Sequence, residues 1–277
     1  MDFTRSGIQR YALNTGWLFA GRVSQILIGL GVTIVVARHL GPQQFGLLNF
    51  VMASTFLMGV AANFGMDGIA RRVLVEQRDE SDRISGTYFI LATGFALLVY
   101  AAMAMATLLL TDDPTRIQLF LILGGVFVAA AFRIIDLWFN ARVNAGPIAM
   151  ATSMSVLGAG LVKLWMVYAN AELPWFAAAI LLEAILLILL RGIAYRRAGG
   201  SMGQWRFDPP LAGMFIKNGW LLMLSAVATN IYMKLDQVML GVLIDDQTVG
   251  IYAAAVRLSS IWHFIPVILA TSLFPAI

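Results

Sequence analysis

The run WFAAAILLEAILLILLRGIAY, Trp175 to Tyr195, decides the fold. A helix rises 1.5 Å per residue, so this run crosses the ~30 Å hydrocarbon core of a bilayer. Only Glu183 and Arg191 interrupt it. Similar apolar runs fall at roughly 15–37, 45–65, 85–110, 117–139, 148–168, 216–243 and 249–277, which makes eight expected spans. The expected fold is all-α, a polytopic membrane helix bundle of about 8 transmembrane helices.

Composition agrees with that reading. The 277 residues are 60% hydrophobic and 12% charged, with a mean hydropathy of +0.82. A soluble domain carries about a quarter charged residues. There is no cysteine, which excludes thiolate catalysis and cysteine-ligated metals. His39 and His263 are too far apart in sequence to suggest a metal site, so neither metal nor cofactor is expected.

Basic residues set the expected orientation. With the N-terminus cytoplasmic, the inner side receives Arg5, Arg10, Arg71, Arg72, Arg78, Arg83, Arg142, Arg191, Arg196, Arg197, Arg206 and Lys217. The outer side receives Arg38 and Arg116, with the acids Asp112, Asp113, Glu172, Asp245 and Asp246. Twelve against two makes the net charge of +4 a topology signal. No basic groove interleaved with aromatics suggests nucleic acid.

A repeat runs through the chain. Asn14 of NTGW matches Asn218 of NGW, Gln43 matches Gln247 and Gly46 matches Gly250, each pair 204 residues apart. Each copy has a polar start, a long span, a tight outer turn reaching a glycine and a second span. Both begin on the inner side, as in a parallel repeat of two lobes. The break falls in RRAGGSMGQWRFDPPLAG, punctuated by Gly199, Gly200, Pro209 and Pro210. The expected division is a first six-helix lobe at 1–198, a cytoplasmic linker at 199–217 and the first two helices of a second lobe at 218–277.

Those motifs carry a family resemblance. NTGWLFAGRV, VVARHLGPQQFGLLNF, LDQVMLG, DDQTVGIYAAAVRLS and FIPVILATSLFP resemble the polysaccharide-biosynthesis flippases of the Wzx type, in the superfamily that also holds multidrug exporters and lipid II flippases. The resemblance implies two lobes around a central cavity. It implies transfer of undecaprenyl-pyrophosphate-linked oligosaccharide, such as an O-antigen unit, from inner to outer leaflet by alternating access in a bacterial inner membrane. It also implies a coupling ion, proton or sodium, and a polysaccharide polymerase as partner. The chain is shorter than such proteins, and its second lobe is expected to be incomplete.

Charges inside the spans are the candidate site residues, since each is costly in hydrocarbon. Asp236 lies ten residues before the outer turn near Asp246, and Arg257 eleven after it. Both are therefore about 15 Å deep, near the midplane. Lys234 and Glu183 reach a similar layer. Nearer the inner side, Arg22 stands alone and Arg133 is expected to pair with Asp136 at i, i+3. Arg22, Arg133, Lys234 and Arg257 are the candidate cations for pyrophosphate or sugar, because guanidinium forks suit phosphate oxygens. Asp236, Glu183 and Asp136 are the candidates for coupling or charge pairing, with Arg257 a partner for Asp236 and Lys234 one for Glu183. Lys163 and Arg38, near helix ends, are expected to snorkel.

No catalytic residues are expected. In TDDPT the adjacent Asp112 and Asp113 point apart and mark a proline-ended turn. Two other readings remain at this point: a cation-coupled multidrug exporter, which would favour acids over arginines in the cavity, and a membrane-embedded glycosyltransferase or polymerase, which would need a larger outer loop.

Overall fold

The computed structural model describes the backbone of residues 5–259 and the side chains of residue 26 and of residues 28–259. Every long element is an α-helix: α1 (Arg5–Ala62), α2 (Met66–Glu76), α3 (Ser81–Leu110), α4 (Pro114–Ala130), α5 (Ile134–Ala141), α6 (Gly146–Tyr168), α7 (Leu173–Arg197), α8 (Pro209–Leu243) and α9 (Asp246–Ser259). Six stretches among the described residues are long and apolar enough to cross a membrane: Ile28–Ala62, Arg78–Leu110, Pro114–Ala141, Gly146–Tyr168, Leu173–Arg197 and Pro209–Leu243. The protein is a polytopic membrane helix bundle. The expected eighth span is represented by α9, and residues beyond Ser259 lie outside the described part.

Helix starts are written in the sequence by proline. Pro42 follows a break in α1, and Pro114, Pro147, Pro174 and Pro209 stand in the first turns of α4, α6, α7 and α8. Proline suits that place because its missing N–H would have had no helical partner and its φ is already helical. Asp113 and Asp208 complete two of these starts by accepting the backbone N–H groups of Thr115 and Leu211, at 2.8 and 3.1 Å. The first and second expected spans are the two arms of α1. They separate at Gly41, where φ is 69° and ψ is 173°, a conformation closed to other residues.

The segment 66–84, which carries four of the arginines assigned to the inner side, contains a helix. In α2 the residues Met66, Ala70, Val73 and Leu74 form one buried stripe, while Arg71 and Arg72 stay exposed. The stripe packs into a core at the basic end of the bundle with Tyr88, Phe139, Tyr195 and Phe215. A second core toward the opposite end joins α1, α4, α7 and α9 through Val51, Leu119, Phe176 and Val249.

The stretch 199–208 lies firmly against α3. Trp205 donates to the Tyr195 hydroxyl at 3.1 Å, the Arg206 N–H to the Asp82 carbonyl at 3.2 Å, and the Asp208 N–H to Thr87 at 2.9 Å. A Cβ at Gly86 would sit 2.5 Å from the Arg206 backbone. Asp208 also forms an ion pair with Arg83. The Leu211 N–H, and then the Arg83 guanidinium, hold its carboxyl below the ordinary carboxylate range.

Two helix crossings bring α8 and α9 against the α1–α2 segment. At the end opposite the basic one, Gly46 faces the Asp246 carbonyl and Gly250 faces the Pro42 carbonyl, so closely that neither position has room for a Cβ. The two contacts are reciprocal: each glycine of the repeat meets the residue equivalent to the one its counterpart meets. Beside them Arg116 of α4 bridges to Asp246 at 2.7 Å. At the basic end, Gly65 (φ 68°) meets Gly219 in a similar close approach.

Candidate functional site

A cavity of about 200 Å³ opens between both arms of α1 and helices α6, α7 and α9. Its polar lining is Thr33, Asn49, Lys163, Glu183 and Arg257, set among apolar residues such as Val36 and Phe45. Lys163 of α6 and Glu183 of α7 form an ion pair at 2.8 Å, with 18% and 31% of the side chains exposed. Arg257 of α9 donates to Thr33 at 3.4 Å. Two cations and one carboxylate therefore line one cavity, which suits an anionic guest. Buried or half-buried charges of this kind persist in a membrane helix where they face one another or water.

Beside the cavity lies a second polar patch. Lys234 is within electrostatic reach of both Asp236 and Arg257. Asp236 accepts a hydrogen bond from the Tyr252 hydroxyl of α9, and Lys234 faces the buried Gln237 at 3.5 Å. Where a pairing of Asp236 with Arg257 was expected, Asp236 accepts from Tyr252 and Arg257 donates to Thr33. The expected pairing of Glu183 with Lys234 is replaced by Glu183 with Lys163. Lys163, expected to snorkel, turns inward because the neighbouring antiparallel helix supplies its carboxylate.

The third cluster sits toward the basic end and also departs from expectation. Arg133 pairs with Asp67 of α2 at 2.6 Å, and Asp136 pairs with Arg191 of α7. Arg133 and Asp136 stay within electrostatic reach of each other across the helical start of α5, but each takes its ion-pair partner from another helix. Tyr88 donates to Asp67 at 2.6 Å and lies 3.2 Å from Asn63. Arg191, expected in a cytoplasmic connection, is buried inside α7. These crossed pairs tie α2, α5 with the turn before it, and α7 together, with Arg133 half-exposed and the other three groups largely buried.

Of the residues singled out from sequence, Glu183 and Arg257 line the cavity, Lys234 and Asp236 lie beside it, and Arg133 and Asp136 belong to the separate network. Arg22 falls in α1, and its side chain lies outside the described residues. Sequence reasoning missed Lys163, Thr33 and Asn49 as lining groups. One signal was available for Lys163: it stands five residues inside the end of α6, deeper than a snorkelling lysine needs.

Residues 12–277 match the family described as "Polysaccharide biosynthesis protein". The chain belongs to this family. Among curated proteins it is similar to "Probable flippase AglR" of Haloferax volcanii, with 25% identity over 274 residues, covering 94% of this chain and 53% of that protein. The chain thus spans about half the length of the curated relative it matches. No solved structure matches it. Membership of the polysaccharide biosynthesis family places the cavity in a chain whose relatives include a protein named as a flippase, and makes a transporter reading the one to pursue.

Proposed function

We propose that the chain belongs to a flippase for undecaprenyl-pyrophosphate-linked oligosaccharide, carrying the headgroup from the inner to the outer leaflet by alternating access. The observation that carries this reading is the cavity lined by Lys163, Glu183 and Arg257 among membrane helices. A pyrophosphate is a doubly anionic group, and an ammonium with a guanidinium offers it charge and directed N–H donors. Glu183 keeps Lys163 neutralised until the anion arrives, so the empty site does not leave a bare ammonium in hydrocarbon. Release of Glu183 on binding makes it the candidate for coupling to a proton or sodium ion. The movement itself requires no covalent chemistry.

The two-lobe division supports the same reading. With 1–198 as one lobe and 218–277 opening the next, the reciprocal Gly46–Gly250 crossing brings equivalent residues of the two repeats together. Together with Arg116–Asp246 it closes the end opposite the basic one. By the positive-inside rule the basic end is cytoplasmic. The chain in this state is sealed outside and receives its guest from the inner leaflet of a bacterial inner membrane, for delivery to a polymerase.

Cells carrying Lys163→Gln and Arg257→Gln together test the proposal. The expected result is loss of lipid-linked surface polysaccharide with unchanged protein in the membrane. Normal polysaccharide at normal protein level contradicts it.

A further inference from the structure

Helix α8 has three distinct faces. Phe215, Gly219 and Gln237 are buried against α1 and α2. Leu221, Leu224, Ile231 and Leu235 are exposed, as on a lipid-facing side. Between these faces Asn218, Ser225, Thr229, Tyr232 and Asp236 fall within an arc of about 60°, at 100° per residue. Asn218, Ser225, Thr229 and Tyr232 are exposed, Tyr232 by 87%. The stripe runs about 27 Å along the helix, from the basic end to the charged layer beside the cavity.

We propose that this stripe is a carbohydrate track: a binding surface for the neutral, hydroxyl-rich part of a guest whose anionic group occupies the Lys163–Arg257 cavity. The inference rests on the transporter reading above and adds where the sugars lie. Three features of the stripe point to this occupant. It carries no charge between Asn218 and Asp236, so it offers nothing to hold an anion along its length. Its hydroxyls and amide both donate and accept, as sugar hydroxyls do. Thr229 donates to the Ser225 carbonyl at 2.9 Å, which satisfies its proton within the helix and leaves its oxygen to accept. Tyr232 adds an aromatic face of the kind that packs on apolar C–H surfaces while its hydroxyl stays wet. At its far end Asp236 holds Tyr252 and adjoins Lys234, so the track is continuous with the candidate site. Many weak, interchangeable hydrogen bonds allow a guest to slide, because binding has to be strong enough to admit it and weak enough to let it leave.

The chain's lack of cysteine gives a clean test. Single substitutions Ser225→Cys, Thr229→Cys and Tyr232→Cys, with Leu224→Cys, Ile231→Cys and Leu235→Cys as lipid-face controls, are made in the full chain in lipid nanodiscs. Labelling by a charged, water-soluble methanethiosulfonate is followed alone, with maltotetraose, and with inorganic pyrophosphate. The expected result is labelling of the stripe several-fold faster than the controls, slowed by maltotetraose and unaffected by pyrophosphate. Ser225→Cys and Thr229→Cys change little volume, so the test stands if Tyr232→Cys unfolds. Labelling at control rates, as for a face packed against further helices, overturns the proposal. So does fast labelling that maltotetraose leaves unchanged. Because this readout needs no translocation, its failure is distinct from failure of the flippase reading, which the Lys163 and Arg257 substitutions test.

Discussion

Gly46 and Gly250 leave no room for a methyl group, because a Cβ on either meets a backbone carbonyl of the opposing helix. Backbone cannot rotate away as a side chain can, so Gly46→Ala has to push α1 and α9 apart. The expected cost is about 1–3 kcal/mol, the usual range for overpacking, read as a lower melting temperature in detergent. Gly213→Ala, in α8 with nothing within 4 Å of a Cβ, is the control and is expected to be neutral or slightly stabilising, since alanine favours helix by up to about 1 kcal/mol over glycine. Asp208 makes a second prediction at this scale. Its folded carboxyl is held below the ordinary range, so its contribution is complete above the usual carboxylate pKa and is lost as pH falls through the lower folded value. Limited proteolysis of 199–208 is therefore expected to stay constant from neutral to mildly acidic pH and to rise only in stronger acid. In Asp208→Asn, cleavage is expected to be faster already at neutral pH.

Lys163 and Glu183 tie α6 to α7, and removing one partner strands the other. Lys163→Met, which unlike Lys163→Gln leaves Glu183 without a hydrogen-bond donor, is expected to destabilise the bundle by roughly 3 kcal/mol, as for a broken buried pair. Lys163→Met with Glu183→Leu is expected to recover much of that loss, and a double-mutant cycle by thermal unfolding measures the coupling. A double loss equal to the sum of the Lys163→Met and Glu183→Leu single losses would show that the pair contributes nothing. At this scale the sequence is informative about elements and poor about partners. The long spans and their proline starts are legible because hydropathy and proline act locally. The bond partners are not, because each lies on another helix: Lys163 with Glu183, Arg133 with Asp67, Asp136 with Arg191. Local spacing suggested Arg133 with Asp136, and closer partners on α2 and α7 took both. The helical stripe in α2 was obscured by the charges interleaved with it.

Across the whole molecule, the repeat legible in the sequence meets itself in space. Asn14 and Asn218 revealed only similarity; the Gly46–Gly250 crossing shows the two copies packed on each other. Under alternating access this crossing and the Arg116–Asp246 bridge have to part when the outer side opens. Spin labels at Gln43 and Gln247, exposed beside the crossing, are expected to show a second, longer distance population when Arg116→Ala weakens the closure. The proposed activity is movement of a pyrophosphate-linked headgroup through the Lys163–Arg257 cavity. Its most direct measurement is translocation of a fluorescent undecaprenyl-pyrophosphate oligosaccharide across proteoliposomes made with the full natural gene product. Movement by the natural protein is expected, and none above protein-free liposomes for the Lys163→Gln, Arg257→Gln variant. Equal rates for the two proteins would contradict it.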